Sequence, residues 1–236
     1  MNSSFELPLF PLSAHLLPGG RMTLRIFEPR YVRMIKEACS SDTGFGICMV
    51  NSQGDKDKNE HIYSVGTYAK VIDFDLLDNG FLGVTVEGHK CFSIESVTNE
   101  IDGLRLGVCQ WLDEWTEQSA EYSIAPIDER LMEIFDKYPE LQTLYQTPKF
   151  SDPIWVIYRW LELLPVDAEK KQQLVQQKDY IKALGIDHVA VAGPGLGTII
   201  LNYKFKSSSV KERALYLNEQ LQLPEGERVL SIKELD

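Results

Sequence analysis

"LRIFEPRYVRMI", residues 24–35, passes from one secondary-structure period to another within a dozen positions. Ahead of it, Pro18, Gly19 and Gly20 make a turn, and Arg21 to Ile26 then read as a strand. Behind it the pattern is helical. Pro29 suits a first helical position, where its missing N–H would have no partner in any case. Val32, Ile35 and Cys39 then share one face. The stretch therefore predicts a strand-to-helix reversal. It also crowds Arg25, Glu28 and Arg30 among Phe27 and Tyr31, which makes it the first candidate for a site.

Two roles fit those five residues. In the structural one, Phe27 anchors the junction in the core, where burying the ring stabilises by ~1.5–3 kcal/mol. Glu28 lies beside the positive end of a helix dipole, a contribution of ~0.3–1 kcal/mol. Arg25 or Arg30 bridges Glu28 or takes a loop carbonyl with its forked guanidinium. Tyr31 buries its ring and needs a partner for its hydroxyl. In the binding role, Arg25, Phe27, Glu28, Arg30 and Tyr31 are candidate contacts for an extended peptide or a small polar ligand, with Arg25, Arg30 and Tyr31 lining the groove. The structural role is favoured, because the junction alone accounts for every residue type.

Outward from the reversal, residues up to about 118 read as strands. "FELPLFPL" is short and apolar, and its prolines suggest an edge position or a strand end. "FGICMV", "IYSVGTYAKVIDFD", "GFLGVTVEGHKCFSIESV" and "GLRLGVCQWL" follow, punctuated by Gly and Asp or Asn turns. Leu82, Val84 and Val86 alternate as one buried face, and Leu104, Leu106 and Val108 as another. Short strands of this kind argue for a small barrel or sandwich rather than a parallel α/β sheet.

From residue 119 to 185 the period becomes helical. "IAPIDERLMEIFDKYPELQTLY" is expected to break at Pro139. Asp152 with Pro153 is a strong helix start, Trp155, Tyr158, Leu161, Trp160 and Leu164 give a broad apolar face, and Pro165 stops it. Asp167 caps a further helix, and Gly185 closes a last short one. Residues 186–236 form a tail of unassigned role. Within it "HVAVAGPGLGTIILNYKF" is β-prone around a glycine turn, "SSSVKERALYLNEQL" suits a helix, and "ERVLSIKEL" a final strand.

Composition narrows the function. The 236 residues are 44% hydrophobic and 25% charged, as in an ordinary folded domain, and the net charge is −11. Such a surface repels phosphate backbones, and no Lys/Arg run offsets it, so nucleic-acid binding is disfavoured. No segment approaches the roughly 20 apolar residues that span a bilayer. The start has no basic region ahead of its apolar stretch, so a cytoplasmic location is expected. The four cysteines lack a C-x-x-C pair, and the four histidines lie far apart, so no metal site is expected.

Catalytic motifs are likewise missing. Gly193, Gly195 and Gly197 follow a strand, but the spacing departs from G-x-G-x-x-G and "IILNYKF" continues as strand, which leaves no helix N-terminus for a phosphate. There is no P-loop and no G-x-S-x-G elbow. Asp73 and Asp75 flank Phe74 on one face of a strand and are a candidate carboxylate pair, but two solvated charges are by far the commoner arrangement, about ten times so. No catalytic residue and no cofactor is expected.

Several blocks carry a resemblance. "LPLFPLSAHLLPGGRMTLRIFEPRYVRMI", then "FGICMV", "VGTYAKVIDF" and "VEGHKCFSIESV", then "SDPIWVIYRWLELLPVDAEKKQQLV", resemble in order the Lon protease N-terminal, substrate-binding domain, especially its small stand-alone bacterial members. The likeness covers residues 5–185, with "RIFEPRY" its most specific element. It implies an α+β fold, a PUA-like β pseudo-barrel over residues 1–118 followed by a C-terminal helical bundle. In full-length Lon this domain precedes an ATPase and a Ser-Lys protease, neither of which is expected here. The function it implies is non-catalytic binding of other polypeptides, including unfolded segments or protease clients. Two alternatives stand beside it: RNA binding, suggested by the PUA-like fold, and a small-molecule protein or enzyme using Asp73, Asp75 or a cleft between the β and helical parts.

Overall fold

A computed structural model describes residues 4–55, 61–76, 82–115, 127–164 and 167–177, and the backbone of 186–193, 197–203 and 228–232. Two compact units divide the chain, Met1–Glu114 and Trp115–Asp236. The first runs β1 (Phe5–Leu12), β2 (Arg21–Ile26), α1 (Pro29–Ser41), β3 (Phe45–Val50), β4 (Ile62–Leu76), β5 (Leu82–Asn99) and β6 (Arg105–Trp111). The turn before β2 forms as expected, with Gly20 N–H donating to the Leu17 carbonyl at 2.9 Å.

The six strands make one mixed sheet in the order β2-β5-β4-β3-β1-β6. Beyond that order, β6 also pairs with the C-terminal half of β5, from Phe92↔Trp111 to Asn99↔Arg105. The sheet thus curls back on itself through the β5–β6 pairing, as a mixed six-stranded sheet and not a closed barrel. Its long strands are shared: β5 pairs with β2 through Leu82–Glu87 and with β6 only from Phe92 onward, so β2 hangs from β5 alone.

The expected edge position of "FELPLFPL" is corrected. β1 lies inside the sheet, parallel to β3 and antiparallel to β6. The prolines are accommodated because the two neighbours overlap at a single residue, Leu9. Pro8 stands where only β6 is alongside, and Pro11 where only β3 is. Each missing N–H therefore falls where the strand has one neighbour.

One core packs α1 against Phe10 of β1, Leu24 and Ile26 of β2, Phe45 and Ile47 of β3, Ala69 of β4 and Val84 and Val86 of β5. A second gathers Leu7, Leu9, Cys48, Ile62, Phe92 and Cys109. Tyr31, Met34, Ile35 and Ala38 form the buried face of α1, at the i, i+3, i+4, i+7 spacing. Cys39, expected on that face, is exposed, and Val32 is only partly buried. Val84 and Val86 are fully buried as their alternation implies, with Leu82 packed against them. In β6 the parity is the reverse of the expectation. Gly107 and Cys109 are the buried residues there, and Leu106 and Val108 are half-buried. The cause is Leu9, which fills the space over Gly107 so closely that a Cβ would sit 2.8 Å from its Cδ1.

The second unit runs α2 (Ile127–Lys137), α3 (Pro139–Leu144), α4 (Pro153–Leu163), α5 (Ala168–Val175), β7 (Ile186–Gly193), β8 (Gly197–Tyr203) and β9 (Arg228–Ile232). Pro139 separates α2 from α3 and takes the first position of the latter. Asp152 caps α4 by accepting from the N–H groups of Ile154 and Trp155, and Asp167 caps α5 by accepting from Glu169 N–H. α4 is buried all round from Trp155 to Leu161, including Arg159, which is ion-paired to Glu162 at 2.7 Å. Trp155 sits among the rings of Phe135, Tyr145 and Phe150. β7 pairs antiparallel with both β8 and β9. The expected helices ending at Gly185 and covering "SSSVKERALYLNEQL" lie outside the described residues.

Candidate functional site

Glu28 begins α1 with an extended backbone, φ −77° and ψ 130°, and its carbonyl accepts the first helical hydrogen bonds, from Tyr31 and Val32 N–H at 3.0 Å. Its carboxylate does not cap the helix. It accepts instead from Arg30, whose Nε lies 2.9 Å and Nη2 2.6 Å from Oε2. The other arm of the same guanidinium, Nη1, donates to the Gly103 carbonyl at 2.8 Å. The guanidinium also lies over the Tyr31 ring, 4.7 Å from its centroid. Tyr31 is buried against Phe10, 4.3 Å between ring centroids, and burial raises its pKa while the Arg30 charge opposes the rise. So the bridging of Glu28 and the capture of a loop carbonyl are both performed by Arg30.

One turn along α1, Arg33 reaches the same loop. It donates to Asp102 Oδ2 from Nε at 3.0 Å and from Nη2 at 2.9 Å, and it is ion-paired with Glu100 and Glu37. The Asp102 carboxyl is held below its usual range, chiefly by accepting Leu104 N–H at 3.0 Å and further by Arg33, against the opposing effect of desolvation. The loop is a tight turn in which Gly103 N–H donates to Glu100 O and Glu100 N–H to Leu104 O. Gly103 has φ +80°, a region costly for any residue with a Cβ, and a Cβ there would lie 3.2 Å from Arg30 Nη1. Arg33, Glu100, Asp102 and Gly103 were not singled out from the sequence. The Asp-Gly pair between two strands is the signal that marks the turn; nothing in the sequence says that α1 would grip it.

The five residues singled out at the reversal separate. Glu28, Arg30 and Tyr31 come together. Arg25 is exposed on β2, opposite Gly83 of β5. Phe27 does not anchor the core: it is 65% exposed, and Ile26, at 2%, takes that place. The strand period explains the correction, since Leu24 and Ile26 point inward and leave Arg25 and Phe27 outward.

Asp73 and Asp75 are both exposed, opposite Thr85 and Gly83, and Asp73 Oδ1 accepts from Phe74 N–H at 2.9 Å. They lie on the part of β4 that has outrun β3, whose pairing ends at Phe45↔Ala69. A groove of about 220 Å³ runs there between the end of α1 and β4, lined by Cys39, Asp42, Lys70, Ile72 and Phe74 among others. Among the described residues no group of His, Cys, Asp or Glu is arranged to hold a metal ion. β8 follows the glycine segment as a strand, so that segment does not open a helix; its residues 194–196 lie outside those described. No helix among the described residues is long and apolar enough to cross a membrane.

Residues 6–185 match the model of the ATP-dependent protease La (LON) substrate-binding domain. The chain belongs to this family. Among relatives, it is 23% identical over 177 residues to the Lon protease of Parabacteroides distasonis, a match covering 72% of this chain and 21% of that protein. With the Lon protease of Brevibacillus choshinensis it shares 25% identity over 179 residues, 72% of this chain and 23% of the other. The chain thus spans about a fifth of the length of these Lon proteases. The Lon N-terminal domain protein from Xanthomonas campestris superposes with a TM-score of 0.56 at 26% identity, covering 76% of this chain and 95% of that one. The N-terminal domain of the Mycobacterium avium complex Lon protease, at 13% identity and a TM-score of 0.52, covers 76% of this chain and 94% of that one and shares the fold. The part of Lon matched is its substrate-binding domain, and "RIFEPRY" lies within it.

Proposed function

We propose that this protein is a non-catalytic module that binds exposed segments of other polypeptides. The observation that carries the reading is the match of residues 6–185 to a substrate-binding domain. Side chains suited to such contacts stand on the first unit: Phe27, Ile72, Phe74 and Ile101 are exposed apolar residues on one domain. The Arg30–Glu28–Gly103 arrangement serves a different purpose, holding the helix to a turn, since its polar groups already satisfy one another.

The test is retention of unfolded model polypeptides by the immobilised chain, with the same polypeptides in native form as the comparison. Retention of the unfolded forms alone at micromolar concentration is the expected result. Equal retention of both, or of neither, overturns the reading. The −11 charge predicts that RNA is not retained in the same format even at low salt.

A further inference from the structure

We propose that the free edge of β4 between Val71 and Leu76 is a strand-addition site for an extended segment that alternates basic and apolar side chains. The inference rests on the polypeptide-binding reading above and specifies its site and sequence preference.

The edge arises from how β3 begins. From Val50↔Ile62 to Phe45↔Ala69, β3 covers one side of β4; upstream of Phe45 the chain has come from α1 and turned away. β4 continues for seven more residues with β5 on its other side, pairing Lys70↔Glu87 and Val71↔Val86, slipping by one residue at Ile72, and resuming from Asp73↔Thr85 to Leu76↔Leu82. Among the described residues no strand pairs with that stretch on the side β3 has left. The groove of about 220 Å³ borders it, lined by Lys70 to Phe74 on the β4 side. The far wall is the end of α1, where Asp42 ends the helix at φ +50° and takes Lys70 Nζ on its carboxylate and its carbonyl, both at 3.1 Å. A backbone edge beside a groove is what an extended peptide needs in order to add a strand.

The side chains along the edge select the occupant. Asp73, Phe74 and Asp75 are consecutive and exposed, Phe74 at 68%. Phe74 points to the same face as Val84, its cross-strand partner, and prolongs the apolar row that Val84 and Leu24 bury. Asp73 and Asp75 point to the opposite face. Lys70 is engaged by Asp42, and among the described residues neither Asp73 nor Asp75 has an ion-pair partner. An added strand sets one side chain opposite each of these three, so the complementary sequence is basic, apolar, basic. Acidic residues on an open edge also exclude the wrong partners. A second copy of this chain, paired antiparallel about Phe74, would bring each Asp73 against the other's Asp75. Like charges directly opposite destabilise such a pair, so the occupant is a basic segment of another polypeptide.

The test uses the full chain and a short labelled peptide alternating lysine with valine, read by fluorescence anisotropy. Its companions are the same peptide with glutamate for lysine, and the lysine peptide N-methylated at every second residue in either frame. Binding of the lysine peptide and not of the glutamate one is expected. One methylation frame should abolish binding and the other leave it, because alternate amides of an added strand face its neighbour. Asp73→Asn with Asp75→Asn should weaken the lysine peptide roughly three- to tenfold, and Asp73→Lys with Asp75→Lys should transfer the preference to the glutamate peptide. Equal loss in both frames, or indifference to the charge reversal, overturns the β4 edge while leaving polypeptide binding in place. So does a chain that retains unfolded polypeptides but ignores the lysine peptide. A chain that retains neither overturns both readings.

Discussion

Arg30 Nη1 donates to the carbonyl oxygen of Gly103 at 2.8 Å, tying the first turn of α1 to a turn seventy-three residues further along. The same side chain holds Glu28, so a single guanidinium fixes both the start of the helix and its seat on the sheet. Arg30→Ala leaves the carbonyl and the carboxylate without this partner and should lower the stability of the domain by about 1–3 kcal/mol in urea unfolding. Arg30→Lys should recover only part of it, since an ammonium lacks the fork. Gly103→Ala should cost about 1–2 kcal/mol for its φ alone. Combined with Arg30→Ala it should be less than additive, because the added Cβ would lie 3.2 Å from Arg30 Nη1 and crowd it only while Arg30 is present. Full additivity would show that Arg30 does not crowd the substituted turn.

Phe27 and Ile26 separate packing from exposure within one dipeptide. Ile26→Ala should destabilise by about 2–5 kcal/mol, as for a core aliphatic. Phe27→Ala should stay within about 0.5 kcal/mol of the parent. Thermal or urea unfolding of the two variants checks the pair, and a large loss for Phe27→Ala would contradict its placement.

Asp102 gives the acid side of the stability curve a signature. Its folded pKa lies below the ordinary 3.8. Its contribution is therefore present above that value and is lost as the pH falls through the folded pKa. Asp102→Asn should flatten the fall in urea midpoint below pH 4 while changing little of the slope at neutral pH. An unchanged acid limb in the variant would remove Asp102 from that role.

The thiols act at the alkaline end. Cys39 is exposed, and Cys48, Cys91 and Cys109 are buried. At mildly alkaline pH a chromogenic thiol reagent should titrate Cys39 rapidly in the native chain and the other three only on unfolding. Burial pushes Cys48 and Cys109 from 9.0 up to about 12, so the folded state keeps protons that the unfolded state releases. Stability should be intact below pH 9 and decline as the pH rises toward 12. Rapid native labelling at more than one site would contradict the burial.

Local rules carried far in this sequence. Pro29, Asp152 with Pro153, Pro139 and Asp167 each placed a helix start or break, because those signals depend on a few adjacent residues. Three errors share another cause. The sequence by itself puts Phe27 in the core for its ring, Leu106 and Val108 on a buried face with Leu104 for their alternation, and β1 at an edge or a strand end for its prolines. Each depended on a distant partner: Ile26 fixing the parity of β2, Leu9 filling the space over Gly107, and two neighbours that overlap only at Leu9. The candidate site was legible to the same degree. Glu28, Arg30 and Tyr31 could be read as a junction, but their gripping of the turn at Gly103 belongs to the tertiary fold.

The interior position of β1 has a consequence for a nascent chain. On the ribosome the strand can meet β3 once residues near 46 have emerged, whereas its other ladder waits for Arg105 to Cys109. Throughout that interval an apolar strand offers one open side, in a domain whose non-local pairings make closure slow. Pro8 lies in the half of the strand that has β6 alone beside it in the finished sheet, opposite Leu106. A proline cannot donate to a foreign strand, so the residue that looks like a blemish in the ladder guards the edge during synthesis. Replacing it should leave the folded sheet intact and raise the fraction of newly made chain that aggregates.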